Sequence, residues 1–119
     1  MLSHEPADVD RLEAILIDAA RQGTPLTYSH TLFLLGRHFS RPKVRWLVNL
    51  LSLVGERTKA RGEPDLAVLV VRQSDGLPGA GFFDWLKRLG RYDGPSTGAP
   101  ARAIVETMQR QVFDYWRAR

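Results

Sequence analysis

Cysteine is absent from all 119 residues. Disulfides, thiolate chemistry and cysteine-based zinc sites are therefore excluded. Long hydrophobic runs are missing too. None approaches about 18 residues, so no segment is expected to cross a membrane as a helix. Met1 to Asp10 are acidic and polar, with no basic stretch ahead of an apolar run. No secretory leader is expected, and the expected location is the cytoplasm. Histidine is scarce. His4, His30 and His38 form no compact ligand spacing such as H-E-x-x-H, so neither a metal nor another cofactor is expected. Ser29 and His30 are neighbours, but adjacent helical side chains diverge by about 100 degrees and cannot act as nucleophile and base. Gly76, Gly79 and Gly81 run in the order G-x-x-G-x-G with no following Gly-Lys-Ser/Thr. They read as a turn returning Phe82 and Phe83 to the core, not as a phosphate loop. The expectation is a protein that is not an enzyme.

What is present is an ordinary globular mixture, 44% hydrophobic and 25% charged, of a length that makes one domain with a single core. The net charge of +4 and a sequence pI near 10.0 favour anionic partners. Val9, Leu12, Ile15, Leu16 and Ala19 recur at helical spacing and predict a helix over 7–22, with acids at its start and Gly23 as its stop. Thr27 or Ser29 caps a short helix from Tyr28 to Leu35, whose Leu32, Phe33, Leu34 and Leu35 imply burial over much of its surface. Ser40 or Arg41 precedes Pro42, well placed to open a helix over 42–60 with the stripe Val44, Leu47, Leu51, Val54. Gly55 lies inside that helix and weakens its last turn, and Gly62 ends it. Leu66 to Val71 read as a buried strand. Asp84 to Leu89 predict a short helix, and Ala101 to Arg117 a long one.

The densest functional signal lies between Arg37 and Gly62. Seven Lys/Arg face one acid, Glu56, for a local charge of +6. A short helix, a turn and a basic second helix form one common way to present a helix to nucleic acid. On that reading the chain is a non-enzymatic nucleic-acid-binding domain of helix-turn-helix type. Helix 42–60 lies against duplex DNA, with Arg37, His38, Arg41, Lys43, Arg45 and Asn49 near phosphates or base edges, and Arg72 touching backbone from the following turn. Trp46, off the apolar stripe, is expected to pack into a core or interface. The alternative is a protein-interaction module, an immunity, inhibitor or accessory protein of a mobile or defence system. It would act through an aromatic and arginine-rich patch around Trp85, Tyr92, Tyr115 and Trp116, residue types that dominate interface hot spots.

The stretch Thr24-Pro-Leu-Thr-Tyr-Ser-His-Thr-Leu-Phe-Leu-Leu-Gly36 resembles the opening of the winged-helix half of alkylguanine-DNA alkyltransferases and alkyltransferase-like proteins. Their proline-cysteine-histidine-arginine motif is absent, so the resemblance implies no alkyl transfer. Asp65-Leu-Ala-Val-Leu-Val-Val71, Gly76-Leu-Pro-Gly-Ala-Gly-Phe-Phe83 and Gln111-Val-Phe-Asp-Tyr-Trp116 resemble a group of small uncharacterised bacterial proteins, and related segments look like modules beside HNH-type nucleases. The resemblance implies a DNA-related setting and no particular activity. The expected fold is helix-dominated α+β, winged-helix-like. Four main helices and one short one surround a very small sheet, with a strand-and-turn wing ending near Asp75-Gly76. The strand needs a partner for its backbone, from Thr24 to Leu26, from Gly79 to Phe83, or from another subunit.

Overall fold

The computed structural model describes residues 6–119. His4 lies outside them. Helix α1 (Pro6–Gln22) is followed by the strand β1 (Leu26–Thr27), α2 (Tyr28–Leu34) and α3 (Arg41–Ala60). A 3-10 turn (Leu66–Leu69) leads into β2 (Val70–Val71), and α4 (Ala80–Arg88) and α5 (Gly98–Arg117) complete the order. The architecture is helix-dominated α+β, as the pattern of apolar spacings requires. The sheet is a single parallel pair, Leu26 opposite Val70 and Thr27 opposite Val71.

Each helix forms where its sequence offers a stripe and a cap. In α1, Val9, Leu12, Leu16, Ala19 and Ala20 turn inward. Thr27 caps α2 by accepting a bond from the His30 amide at 3.1 Å, and Ser40 caps α3 through the Lys43 amide at 3.2 Å. These two bonds decide the caps that the sequence left open. The stops at Gly23 and Gly62 have φ of 71° and 70°, a region where a side chain is strained. One continuous core joins α1, α3, α5 and the 3-10 turn, with Leu12, Leu16, Leu47, Leu50 and Val68 fully inside.

Four sequence expectations need correction. Leu66 to Leu69 are not strand. The 3-10 turn buries Leu66, Val68 and Leu69 together, and only Val70–Val71 pair. A continuous apolar run of six residues has no periodicity to separate the two outcomes, and Asp65 tips the choice by capping the turn through the Ala67 amide at 2.9 Å. The segment after β2 closes on itself, with the Arg72 amide donating to the Leu77 carbonyl at 2.8 Å. Among the described residues no antiparallel hairpin stands where the wing was expected. Phe82 and Phe83 belong to α4, which starts four residues earlier than the sequence implied. Phe83 is buried, while Phe82 is only partly covered. Finally, α2 buries Leu32, and Leu35 just beyond its end, but leaves Phe33 72% exposed. Seven residues make only two turns, so just one narrow side can face the core.

Candidate functional site

The basic segment is less basic in three dimensions than along the chain. Arg57 reaches Asp10 at 2.6 Å and Glu13 at 3.3 Å. Arg61 joins Glu13 and Glu63. These hydrogen-bonded carboxylates raise both guanidinium pKa values further above their ordinary range. Arg37 sits 3.8 Å from Asp8 and lays its guanidinium 4.8 Å above the Trp46 ring. Trp46 itself is buried, as expected. With these four acids included, the local charge falls from +6 to +2. Arg41, Lys43 and Arg45 form no ion pair among the described residues and stand near the start of α3. His38 and Asn49 are exposed. Arg72 is held in its turn by Asp75 at 3.0 Å and by the Ser96 carbonyl at 3.2 Å.

The aromatic patch does not assemble as a unit. Tyr92 packs on the Phe83 ring and donates its hydroxyl to the Pro95 carbonyl at 2.7 Å. Tyr115 and Trp116 stack edge-on near the end of α5, beneath Arg119 and Arg21. Trp85 faces a different surface, and that surface is concave.

An open groove of about 1340 Å³ runs between α3 and α4. One wall is the outer side of α3, where Val44, Val48, Leu51, Ser52, Gly55 and Glu56 succeed one another at spacings of three and four or as adjacent pairs. Twelve residue steps at 1.5 Å make that wall about 18 Å long. The other wall is α4. Its Phe83 and Leu86 point into the core, and its Phe82 and Trp85, one position round the helix, line the groove. Their rings lie 6.1 Å apart. Phe39 and Leu89 add further apolar surface to the lining, and Phe39 is 66% exposed. The Tyr28 hydroxyl accepts the Gly79 amide at 2.9 Å, tying the start of α4 to the start of α2. Burial raises the Tyr28 phenol above its ordinary pKa, against the opposing pull of that bond and of Arg72.

Asp65 also lines the groove. Its Oδ1 accepts the Ala67 amide, and no cation lies within salt-bridge distance among the described residues. Burial pushes its carboxyl above the ordinary value, outweighing the Ala67 bond and the charge of Arg91. Gly55 is the point of α3 that lies against this carboxylate, and a methyl group there would meet Asp65 Oδ1 at 3.4 Å, at van der Waals contact. An interior helical glycine is the one sequence signal that could have pointed to this site. Phe39, Val48 and Phe82 carried none, because exposure of an apolar residue is a tertiary fact.

Among the described residues no group of three His, Cys, Asp or Glu could hold a metal ion, and no helix is long and apolar enough to cross a membrane. No protein-family model matches the chain, and no curated protein or solved structure matches it.

Proposed function

We propose that this chain is a non-catalytic protein-interaction module that captures a helix in the α3–α4 groove. The observation that carries the reading is the groove itself. Two helices flank an open furrow whose walls leave Val48, Phe82, Trp85 and Leu89 partly exposed to solvent. Contiguous apolar surface of this kind marks an interaction site more often than a solvated face. Its length suits about three turns of an amphipathic helix, at 5.4 Å per turn, laid in with its apolar side down. The volume exceeds the range of roughly 300–1,000 Å³ usual for small-molecule pockets. Selection from a phage-displayed library of amphipathic helices tests the reading. Binders should lose affinity by about tenfold or more, equivalent to about 1.4 kcal/mol, on a Val48→Glu variant that melts like the wild type. Binders indifferent to Val48→Glu and to Trp85→Ala refute it.

A second reading, nucleic-acid binding through helix α3, is supported by one observation. Arg41, Lys43 and Arg45 have no acidic partner among the described residues. Three phosphate contacts imply a salt slope of about −2.7 on a log–log plot of affinity. A gel shift at two salt concentrations decides it, and absence of duplex binding at low salt removes it.

A further inference from the structure

The groove lining is balanced in charge, with Glu56, Asp65 and Asp84 against Arg72, Lys87 and Arg88. Unopposed cations stand instead at the corner where α2 meets α3. No acidic residue occurs between Asp18 and Glu56, whereas Arg21, Arg37, Arg41, Lys43 and Arg45 fall inside that span. Arg37 lies near Asp8 of α1. Arg41, Lys43 and Arg45 form no ion pair among the described residues. Arg41 and Arg45 share one side of α3 at a spacing of four, and Val48 follows on that side three residues later. Arg11 of α1 reaches the same corner, where its guanidinium donates to the Leu34 carbonyl at 3.2 Å.

Open aromatic rings stand among these charges. Phe33 is 72% exposed and Phe39 66%, more than any other large apolar side chain among the described residues. His30, also exposed, lies three residues before Phe33 on α2 and stacks on it, with ring centroids 6.2 Å apart and planes 23° from parallel. Ser29 and Phe33 share a side of α2 at a spacing of four, and Ser29 lines the groove together with Phe39. Both phenylalanines therefore flank the corner that carries the cations. Rings so open to water add little to the core, and their flat apolar faces are free for a ligand.

Independently of the groove reading, and resting on the three unpaired cations of the second one, we propose that this corner binds single-stranded nucleic acid. Bases stack on Phe33 and Phe39, and phosphates pair with Arg41, Lys43 and Arg45. The rings decide the strand state. A duplex keeps its base faces covered by neighbouring pairs, so an exposed phenylalanine finds no face to stack on except at an end. An unpaired strand offers one at every base. An acidic peptide would match the cations and leave both rings uncovered. Stacking tolerates any base, so the surface discriminates strand state and not sequence.

Fluorescence anisotropy tests this with labelled oligothymidine and oligouridine of about twelve nucleotides, and with a blunt duplex of the same length. The single strands should bind more tightly than the duplex, with a log–log salt slope of about −2.1 for three phosphate contacts. Phe33→Ala should weaken single-strand binding about fivefold or more while melting like the wild type, and Phe33→Trp should restore it. Arg41→Gln should flatten the salt slope by about 0.7. Tighter binding of one single strand than of the other names RNA or DNA as the source, and either supports the proposal. Duplex bound at least as tightly as the single strands, with Phe33→Ala without effect, overturns this inference and leaves the duplex reading standing. No binding of any oligonucleotide at low salt overturns both and leaves the groove reading untouched. A loss on Trp85→Ala equal to that on Phe33→Ala would put the strand in the groove and overturn the placement. Polyglutamate bound as tightly as the single strands, by the wild type and by Phe33→Ala alike, would make the corner a general anion surface and overturn the proposal.

Discussion

Leu47 and Val48 are adjacent on α3, and the groove depends on their pointing different ways. Leu47 is 0% exposed and Val48 is 36% exposed. Leu47→Ala removes a fully enclosed isobutyl group and leaves a cavity in the shared core. Substitutions of this type cost about 2–5 kcal/mol, and a mid-range value of about 3 kcal/mol is reasonable where the site is enclosed on all sides. The unfolding entropy of about 2.1 cal/mol/K per residue, taken over 119 residues, is about 0.25 kcal/mol/K. Leu47→Ala should therefore lower Tm by about 12 °C. Val48→Ala removes surface that water already reaches. Its cost should stay within about 0.5 kcal/mol, partly offset by the better helix propensity of alanine, for a Tm change of about 2 °C or less. Thermal melts of the two variants followed by circular dichroism supply the measurement. Equal destabilisation, or a larger loss from Val48→Ala, would mean that α3 is rotated and that the groove wall is core.

Leu51→Ala probes both sides of the same helix. Leu51 is nearly buried and also lines the groove, so the variant should lose about 2–3 kcal/mol in a urea titration and weaken any groove-dependent peptide; a melt unchanged by the substitution contradicts the assignment. Tyr28→Phe takes away the acceptor of the Gly79 amide and should cost about 1 kcal/mol, with faster hydrogen exchange at the start of α4; unchanged exchange there would show that the bond does not hold α4 in place. Asp65 has a folded-state pKa raised above its unfolded value by burial. The folded state therefore holds its proton more tightly, and the Asp65 contribution to stability is fullest below the ordinary carboxylate pKa and declines as pH rises toward the raised value. Asp65→Asn keeps a side-chain oxygen for the Ala67 amide and cannot ionise, so stability measured from pH 3 upward should lose that decline; superimposable pH profiles for the two proteins would refute the buried-carboxyl account.

Much of the helical framework is legible in the sequence because helix formation is a local event. The stripe of α1, the Pro42 start of α3 and the stops at Gly23 and Gly62 all rest on residues within a few positions of one another. The small sheet was legible as a need with three candidate partners, of which the segment 24–26 overlaps the one observed. Val70 and Val71 required a partner, and pairing with Leu26 and Thr27 across forty-four residues is a product of packing. Leu66 to Leu69 show the limit of pattern reading, since a segment covered on every side carries no alternation and Asp65 decides its shape by one capping bond.

Charge along the chain determined that the protein is basic, and that α3 carries many cations. Tertiary structure decided where that charge acts. Asp8, Asp10 and Glu13 lie on α1, more than twenty-five residues from the arginines they engage, and only the packing of α1 on α3 brings them together. The same holds for the groove. The composition specified apolar residues in quantity, but a stripe on α3 and a stripe on α4 become the walls of a groove only when the core takes Leu47 and Phe83 and leaves Val48 and Phe82 in the lining. Burial is a property of the folded chain as a whole. No local rule of spacing assigns which of two adjacent apolar residues it will claim.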